Sequence, residues 1–469
     1  IPPRNLHLPS RIRQTFIFAT RDFLAKLSNR QYLLINLLEA PLLAMLLAFV
    51  IRYRSAPDGS SYLFRYNENF PAFMLMAIIV ALFMGLTVSA EEIIRDRKIL
   101  KRESFLNLSW SSYLFSKVGI LFLLSAVQTL AFIIIGNWIL EIQGMTWAFW
   151  LILFTTACFA NVIGLNISSA FNSAVTVYVL IPLLLIPQMI LSGLLFDFDK
   201  LNHLISTRGK VPMVADLMTS RWAYEAMAVH QFKNNEFEKA YFNYERAEAV
   251  ADYKAAYLAD ELITRNQYLL DLPETPSDTA KAKRSRHILF TELRNEPYRE
   301  GIENLDLEAV FTPAGYSKTT GEQIEAYLSR YKKYYQKEYN HYAGLIEKKM
   351  AFYEQQGINI QQEKNKYYNE SLADLVRNVT TKERISEYQD ALIQNINPVF
   401  QSPNPSHRLD YRAPFFIAEK NLAGWPVSTY FFNLLMIWGM SSVFFVALYF
   451  QWLRKFVGLF GKINLTLKK

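Results

Sequence analysis

The feature that most constrains this chain is a series of six long apolar segments separated by polar stretches. A helix needs ~20 apolar residues to cross the hydrocarbon core of a membrane, because each residue adds only about 1.5 Å. The segments occupy residues 32–51, 70–90, 118–140, 146–167, 174–196 and 427–453. This pattern predicts an all-α polytopic membrane protein with six transmembrane helices, rather than a soluble globular protein.

The basic residues are unevenly distributed, and this predicts the orientation of the chain. Residues 197–425 hold 30 Lys and Arg against 33 Asp and Glu, which leaves 20 against 9 elsewhere. The excess lies in the N-terminal stretch, in 89–117 and in the C-terminal tail, which share one side if six spans alternate. By the positive-inside rule that side is cytoplasmic. We therefore expect both termini in the cytoplasm at a cell inner (plasma) membrane, and 197–425 outside it.

These boundaries divide the chain into five regions. Residues 1–31 are predicted to form a cytoplasmic or interfacial connecting helix, because basic and apolar residues alternate there at helical spacing. Within the long outer segment, stretches rich in Ala, Glu, Lys and Tyr predict helices over 238–267 and 321–356. The other four regions are 32–196 with transmembrane helices one to five, 197–425 as a helical extracytoplasmic (periplasmic) domain, 426–453 as transmembrane helix six, and 454–469 as a cytoplasmic basic tail.

A strongly charged stretch, 89–117, lies directly between the second and third spans. Charged side chains are costly in lipid, so this stretch must lie at the membrane surface, where a soluble partner can contact it. We predict a helix over 91–108 whose mixed charges suit a polar protein interface. A merely solvated helix is the alternative. The candidate contact residues are Glu91, Glu92, Arg95, Asp96, Arg97, Arg102 and Glu103.

Several chemistries find no support in the sequence. The single cysteine, Cys158, lies in the fourth span and is expected to pack there. The histidines show no metal-ligand spacing, and neither a phosphate-binding loop of the GxxxxGK(S/T) type nor a catalytic triad pattern occurs. We therefore expect no metal and no catalytic residue. We also expect no nucleic-acid partner, because the excess of basic residues flanks the membrane spans. Glu39, an ionisable residue inside the first span, either serves a polar relay or forms a structural hydrogen bond.

The order of these elements resembles the membrane domain of ABC transporters of the G subfamily, the white and pleiotropic-drug-resistance type. Within that subfamily, the chain resembles the bacterial G-type half-transporters. The segment FMGLTVSAEEIIRDRKILKRESFLNLSWSSYLFSK resembles the end of span two and the coupling helix, and LIPQMILSGLLFDFDKL resembles span five. SRWAYEAMAVHQF resembles a re-entrant element, here near 212–232, and YRAPF and TYFFNLLMIW resemble the start of span six. Most of 226–410 lies outside the resemblance.

The resemblance implies one half of an exporter driven by ATP. Two copies would pair as a homodimer, and a nucleotide-binding ATPase domain would press on the coupling helix, 91–108. ATP and Mg would be bound by that domain, so this chain would hold no cofactor, and translocase activity would belong to the assembly. The chain begins at Ile1 without Met. Because the ATPase precedes the membrane domain in this family, we expect it N-terminal in the same, longer polypeptide.

The resemblance also places the transport path on the inner faces of spans two and five. Leu194 and Leu195 match the positions of a leucine plug near the outer exit, with ordinary packing as the alternative. Gly85 stands where some relatives carry an aromatic clamp, which favours a lipophilic or amphiphilic substrate over a planar drug. The candidate path residues are Met84, Gly85, Thr87, Thr176, Val179, Leu183 and Met189.

Three functions stay open at this point. The first is ATP-driven export of a lipophilic or amphiphilic substrate out of the cytoplasm or the inner leaflet. The second is mechanotransmission, in which ATP hydrolysis moves the outer domain to drive a periplasmic partner without transporting cargo. The third is a receptor or assembly scaffold, in which the coupling helix would be idle. In each case membrane lipid surrounds the spans.

Overall fold

The structure is a computed structural model that describes residues 9–103, 109–202, 204–205, 209–272, 279–296, 316–388 and 390–466. It is mostly helical, which confirms the helical character of the prediction and the expectation of several apolar spans. The chain forms two compact units. Unit 1 comprises Ile1–Ile205, Pro212–Gln231 and Val427–Lys469, and unit 2 comprises Ser206–Val211 and Phe232–Pro426.

Unit 1 contains the apolar helices. It begins with α1, an amphipathic helix that starts after Ser10, whose side chain accepts a hydrogen bond from the Arg13 N–H. The helices of this unit are α1 (Arg11–Ser28), α2 (Arg30–Ile51), α3 (Phe70–Ser89), α4 (Glu92–Glu103), α5 (Trp110–Leu140), α6 (Thr146–Ala170), α7 (Ala174–Ile190), α8 (Met213–Asp216), α9 (Thr219–Asn234, which ends in unit 2), α16 (Thr429–Tyr449) and α17 (Trp452–Thr466). The predicted basic tail is therefore largely helical, and the predicted re-entrant segment contains α8 and α9.

The third and fifth predicted spans differ most from the helices of the structure. Five of the six predicted spans correspond, within the described residues, to helices long and apolar enough to cross a membrane, whereas α7 has 17 residues. The fifth span was predicted over 174–196, but α7 ends at Ile190 because the chain turns at Ser192 and at Gly193, which has a φ of 88°. Helix α5 starts earlier than predicted because the Ser109 side chain caps it by accepting from the Ser112 N–H.

Helices α3 and α6 approach each other closely at glycines. A Cβ atom added to Gly85 of α3 would lie 2.6 Å from the carbonyl oxygen of Ala157 and 2.7 Å from the Cβ of Ala160. In α6, a Cβ on Gly164 would overlap Ser89. Small residues at such crossings let two apolar helices pack backbone to backbone in a membrane. Gly85 is thus required by packing, which gives a structural reason for the missing aromatic side chain.

Unit 2 is built mainly from helices around a long central one. Its helices are α10 (Phe242–Asp252), α11 (Ala259–Leu270), α12 (Ala280–Asn295), α13 (Lys318–Gln355), α14 (Ile360–Tyr367) and α15 (Glu370–Arg377), and a π-helical turn at Tyr253–Leu258 joins α10 to α11. The helices predicted over 238–267 and 321–356 are thus present. Leu258, Leu262 and Leu289 pack against Ile324 and Leu328 of α13 in the main core of the unit.

The prediction of an all-α fold needs one correction, because the structure contains two small antiparallel sheets. Strands β1 (Ile385–Tyr388) and β2 (Ala391–Gln394) form one hairpin, with Ile385 opposite Gln394 and Tyr388 opposite Ala391. Strands β3 (Glu419–Leu422) and β4 (Trp425–Ser428) form the other, around a turn in which Gly424 has a φ of 97°. Strands of four residues are too short for hydropathy alternation to reveal them.

Candidate functional site

The site with the densest polar contacts in unit 1 surrounds the inward face of α4. Glu92, at the first position of α4, is 1% exposed, and three cations surround its carboxylate. The ammonium nitrogens of Lys26 (α1) and Lys117 (α5) lie 2.9 and 2.8 Å from Glu92 Oε2. The Arg95 guanidinium lies 2.9 Å from Glu92 Oε1. One carboxylate therefore joins α1, α4 and α5.

Lys117 is the second centre of this site. Its side chain is 4% exposed, and its ammonium nitrogen also lies 2.6 Å from Asp22 of α1 and 2.8 Å from Asp96 of α4. The Tyr113 hydroxyl donates a 3.0 Å hydrogen bond to Asp96. Three carboxylates thus face three cations, of which Lys26 and Lys117 are buried or nearly so and Arg95 is half exposed, so the group is neutral as a whole. We call the ion cluster the six residues Asp22, Lys26, Glu92, Arg95, Asp96 and Lys117.

The ends of α4 and α6 cap each other. The Ser168 hydroxyl of α6 accepts hydrogen bonds from the N–H groups of Ile93 and Ile94, at 3.0 and 3.1 Å, which satisfies the first turn of α4. In return the Arg97 guanidinium donates to three carbonyl oxygens at the end of α6, those of Ser168, Ser169 and Phe171. A cation there also complements the negative end of the helix dipole. The two helix ends are therefore held as one body.

An apolar layer and the start of α5 complete the attachment of α4. Ile93 packs with Phe18 of α1, Leu121 of α5 and Leu165 of α6 in one buried cluster. Helix α1 is also tied to the first turn of α5, because Gln14 accepts from the Ser109 N–H at 2.9 Å. Burial of this kind stabilises a helix far more than its own propensity does. Helix α4 is thus a fixed part of unit 1 and not a loosely solvated helix.

The acidic and basic side chains of α4 lie mainly on different faces of the helix. The acidic residues Glu92 and Asp96 point into the ion cluster, whereas the exposed side chains are mainly basic. The exposed residues of α4 are Arg95, Lys98, Ile99, Lys101 and Arg102. The sequence predicted a contact surface of mixed charge. The exposed side chains described on α4 are basic and lie around Ile99, and which of them contact a partner stays a prediction. Of the other candidates, Glu91 lies in the turn before α4, beside Tyr178 of α7, and the Glu103 side chain is outside the described part of the chain.

The predicted path residues do not share one surface within the chain. Met84 is 1% exposed, Gly85 packs against α6, and the Thr87 hydroxyl donates to the carbonyl of Phe83 in its own helix. The α7 residues Val179 and Leu183 are by contrast exposed. Of the other α7 residues, Thr176 is also exposed and Met189 is partly buried. In the turn after α7, Leu194 is partly buried and Leu195 is exposed. Glu39 is partly buried in α2.

Sequence reasoning missed three members of the ion cluster as site residues, Asp22, Lys26 and Lys117. Lys117 carried a signal, because it is the eighth residue of a long apolar helix, where an ammonium group needs a partner. Asp22 is separated from it by 95 positions, and only the fold brings the two together. Within the described residues, no group of His, Cys, Asp and Glu side chains could hold a metal ion.

Comparison with known proteins finds one family similarity. Residues 13–232 match the family described as ABC-2 type transporter (ABC2_membrane). This region includes α1 through most of α9, and with them the ion cluster and both capped helix ends. Over these residues the chain is similar to the membrane subunits of ABC transporters, which are multi-pass membrane proteins that generally partner with an ATP-binding subunit. None of the curated proteins matches the chain.

Proposed function

We propose that this chain is the membrane-spanning part of an ATP-driven exporter that moves a lipophilic or amphiphilic substrate out of the cytoplasm or inner leaflet. In this proposal α4 is the coupling helix, and an ATPase that binds ATP and Mg seats on its exposed face. Two copies form the transporter, as in G-type half-transporters. The observation that carries the proposal is the attachment of α4, through Glu92, Lys117 and the reciprocal caps, to α1, α5 and α6.

This attachment suits the transmission of force. A helix held only by solvent-exposed contacts would shift on its own when pressed, whereas α4 must move together with the helix ends to which it is bonded. Moving it alone would leave buried charges unpaired, which costs about 3–5 kcal/mol for a broken buried pair. A displacement of α4 is therefore expected to move the cytoplasmic ends of α5 and α6.

The exposed face of α4 also specifies the chemistry of its partner. Arg95, Lys98 and Arg102 are exposed around Ile99. Charge complementarity then favours an acidic groove on the ATPase that includes an apolar contact for Ile99. The substrate proposal is supported by the apolar side chains that α7 exposes, among them Val179 and Leu183.

The coupling proposal is tested by reversing one charge on the exposed face. We expect Arg102→Glu in the transporter reconstituted with its ATPase to abolish substrate-stimulated ATP turnover and export, because the acidic groove would repel it. Arg54→Glu changes an exposed arginine of the loop after α2 and is the matched control. The measurements are phosphate release and efflux of a fluorescent lipid analogue from vesicles. Full stimulation and efflux in Arg102→Glu would reject α4 as the contact surface.

A second candidate function is mechanotransmission, and unit 2 is the observation that favours it. This unit has its own core and a 38-residue helix, α13, which spans about 57 Å at 1.5 Å per residue. Such a helix could act on a periplasmic partner when the spans move. ATP turnover that rises only when an outer partner is added, with no efflux of any lipid analogue, would favour this function over export.

A further inference from the structure

A cleft opens at the end of unit 1 opposite the ion cluster. It has a volume of about 650 Å³ and lies where α2 and α5 end and α6 begins. The lining side chains include Arg52, Asn137, Trp138, Glu141 and Thr146. In the proposed orientation this is the outer surface of the membrane. The cleft therefore lies at the level of lipid headgroups whichever way the chain is oriented.

Arg52 and Glu141 place a cation and an anion side by side in this cleft. The Arg52 guanidinium donates to Glu141 and to the carbonyl oxygen of Ile139, and it lies 4.5 Å from the centre of the Tyr62 ring. These two bonds use one N–H of each terminal nitrogen, so three of its five N–H donors remain for a ligand. Both side chains remain substantially exposed, Arg52 at 36% and Glu141 at 50%.

Asn137 supplies an unused acceptor at the same place. It is 5% exposed, and its amide nitrogen donates to the Thr146 hydroxyl at 3.2 Å. Within the described part of the chain its amide oxygen has no hydrogen-bond partner. A buried acceptor without a donor costs free energy. A ligand N–H group that reaches the Asn137 amide oxygen in the wall of the cleft would therefore gain a hydrogen bond that an ordinary surface amide already makes with water.

Two tryptophans mark the depth of the cleft. Trp138 in the last turn of α5 is 79% exposed, and Trp147 in the first turn of α6 is 71% exposed. Exposed tryptophans at the ends of apolar helices are typical of the boundary between acyl chains and headgroups. A ligand whose polar part occupies the cleft could thus keep its acyl chains along α5 and α6.

We propose that this cleft binds the headgroup of a membrane phospholipid that carries both a phosphate and a primary ammonium group. Arg52 binds the phosphate, because a guanidinium presents its N–H groups as a fork that matches phosphate oxygens. The ammonium group donates to the Asn137 amide oxygen and to the Glu141 carboxylate. A quaternary choline has no N–H for Asn137, and an anionic glycerol headgroup has no cation for Glu141.

The test is lipid retention by the full chain. The protein is purified from vesicles that contain equal amounts of phosphatidylethanolamine, phosphatidylcholine and phosphatidylglycerol, and the retained lipids are identified by native mass spectrometry. We expect phosphatidylethanolamine to be retained about tenfold over the other two, as the loss of one or two charge-assisted hydrogen bonds would predict. Equal retention of the three lipids by the unaltered chain would overturn the proposal, whatever the variants do.

Variants assign the selectivity to the cleft. Arg52→Gln and Asn137→Leu are each expected to reduce the preference for phosphatidylethanolamine to about twofold or less. Arg54→Gln changes an exposed arginine outside the cleft and is expected to retain the full preference. An equal loss in Arg54→Gln would overturn the assignment to the cleft. Glycerophosphoethanolamine that binds while no lipid is retained would identify a soluble ligand instead. Because no ATPase is needed, failure here leaves the export proposal intact.

Discussion

Lys117 shows how an ammonium group is held at the edge of an apolar helix. Its three carboxylate neighbours, on α1 and α4, each lie within 2.8 Å of its nitrogen. Removing the cation leaves these carboxylates facing only Lys26 and Arg95, with little water to solvate them. The Coulomb repulsion among them would then act in a poorly screened environment.

We expect Lys117→Met to destabilise unit 1 strongly. Breaking a buried ionic group from one side typically costs about 3–5 kcal/mol. For a body of this size that corresponds to a fall of roughly 10 °C in the melting temperature. Thermal unfolding in detergent, followed by tryptophan fluorescence, measures the change.

Lys98→Met is the control for this substitution, because Lys98 is exposed on the other face of α4. It removes the same charge and adds the same side chain without touching the ion cluster. Surface changes of this kind usually alter stability by less than about 0.5 kcal/mol. Equal melting temperatures of the two variants would show that the cluster contributes no net stability.

We expect the free energy of unfolding of unit 2 to depend on pH because of the buried carboxyl of Glu238. Burial raises the pKa of this carboxyl well above its usual range, and the neighbouring Glu245 raises it further, while Arg377 and Lys364 lower it only in part. The folded protein therefore binds this proton more tightly than the unfolded chain. The contribution to stability is complete at low pH and is lost as the pH rises through the folded-state pKa.

We expect Glu238→Gln to raise the melting temperature of unit 2 by several degrees at pH 8 and to change it little at pH 4.5, because the amide mimics the neutral acid. Glu236→Gln alters an exposed neighbour and is expected to change the melting temperature little at either pH. Differential scanning calorimetry at several pH values gives the comparison. A gain in Glu238→Gln that does not grow with pH would contradict the assignment.

At the scale of elements, the crossing of α3 and α6 depends on the absence of a side chain at Gly85. A methyl group there would meet the backbone of Ala157, which cannot rotate away as a flexible side chain can. Overpacking of this kind costs about 1–3 kcal/mol. We therefore expect Gly85→Ala to reduce the melting temperature and the yield of folded protein in detergent.

Gly119 offers a matched control in α5, because no atom lies within 4 Å of the position its Cβ would take. Gly119→Ala is expected to be neutral or slightly stabilising, since alanine is the better helix former by roughly 1 kcal/mol. Size-exclusion profiles and thermal unfolding of the two variants can be compared directly. Identical behaviour would mean that the α3 and α6 crossing has room for a methyl group.

The elements could be predicted from the sequence wherever hydropathy alone decides them. In the described part of the chain, five of the predicted spans correspond to helices long and apolar enough to cross a membrane, because apolar runs of that length have few other stable forms there. The end of α7 was placed six residues too late, because Leu194, Leu195 and Phe196 continue the apolar run beyond the turn at Gly193. The hydropathy of a segment gives no information about a positive φ angle such as that of Gly193.

The candidate site could be predicted only in part, for a different physical reason. The polarity of α4 marked it as a surface helix, and its sequence contains Glu92 and Asp96 at a spacing that shares one face. Which face is buried depends on Asp22 and Lys117, and their positions relative to α4 are set by the packing of three helices. The accessible basic face follows from that packing and could not be read from composition.

At the scale of the whole molecule, the division into two units predicts that unit 2 can fold without the membrane. Its core residues come from the π-helical turn, from α11 to α13 and from the β1–β2 hairpin region, all within Phe232–Pro426. We expect a fragment of these residues to be soluble and helical and to unfold cooperatively. Circular dichroism during heating provides the test. An aggregated fragment, or one that lacks a cooperative transition, would show that unit 2 depends on the spans.

The reciprocal caps between α4 and α6 have a consequence at the opposite end of unit 1. Helix α6 has 25 residues and is about 37 Å long. It begins at Thr146, which lines the proposed lipid cleft, and ends where Arg97 binds its last carbonyl oxygens. If nucleotide binding shifts this helix and so alters lipid affinity, thermodynamic reciprocity requires lipid to alter nucleotide affinity by the same factor. The surrounding bilayer would then act as an effector of the motor, and the rate of ATP consumption would report the headgroup composition of the membrane.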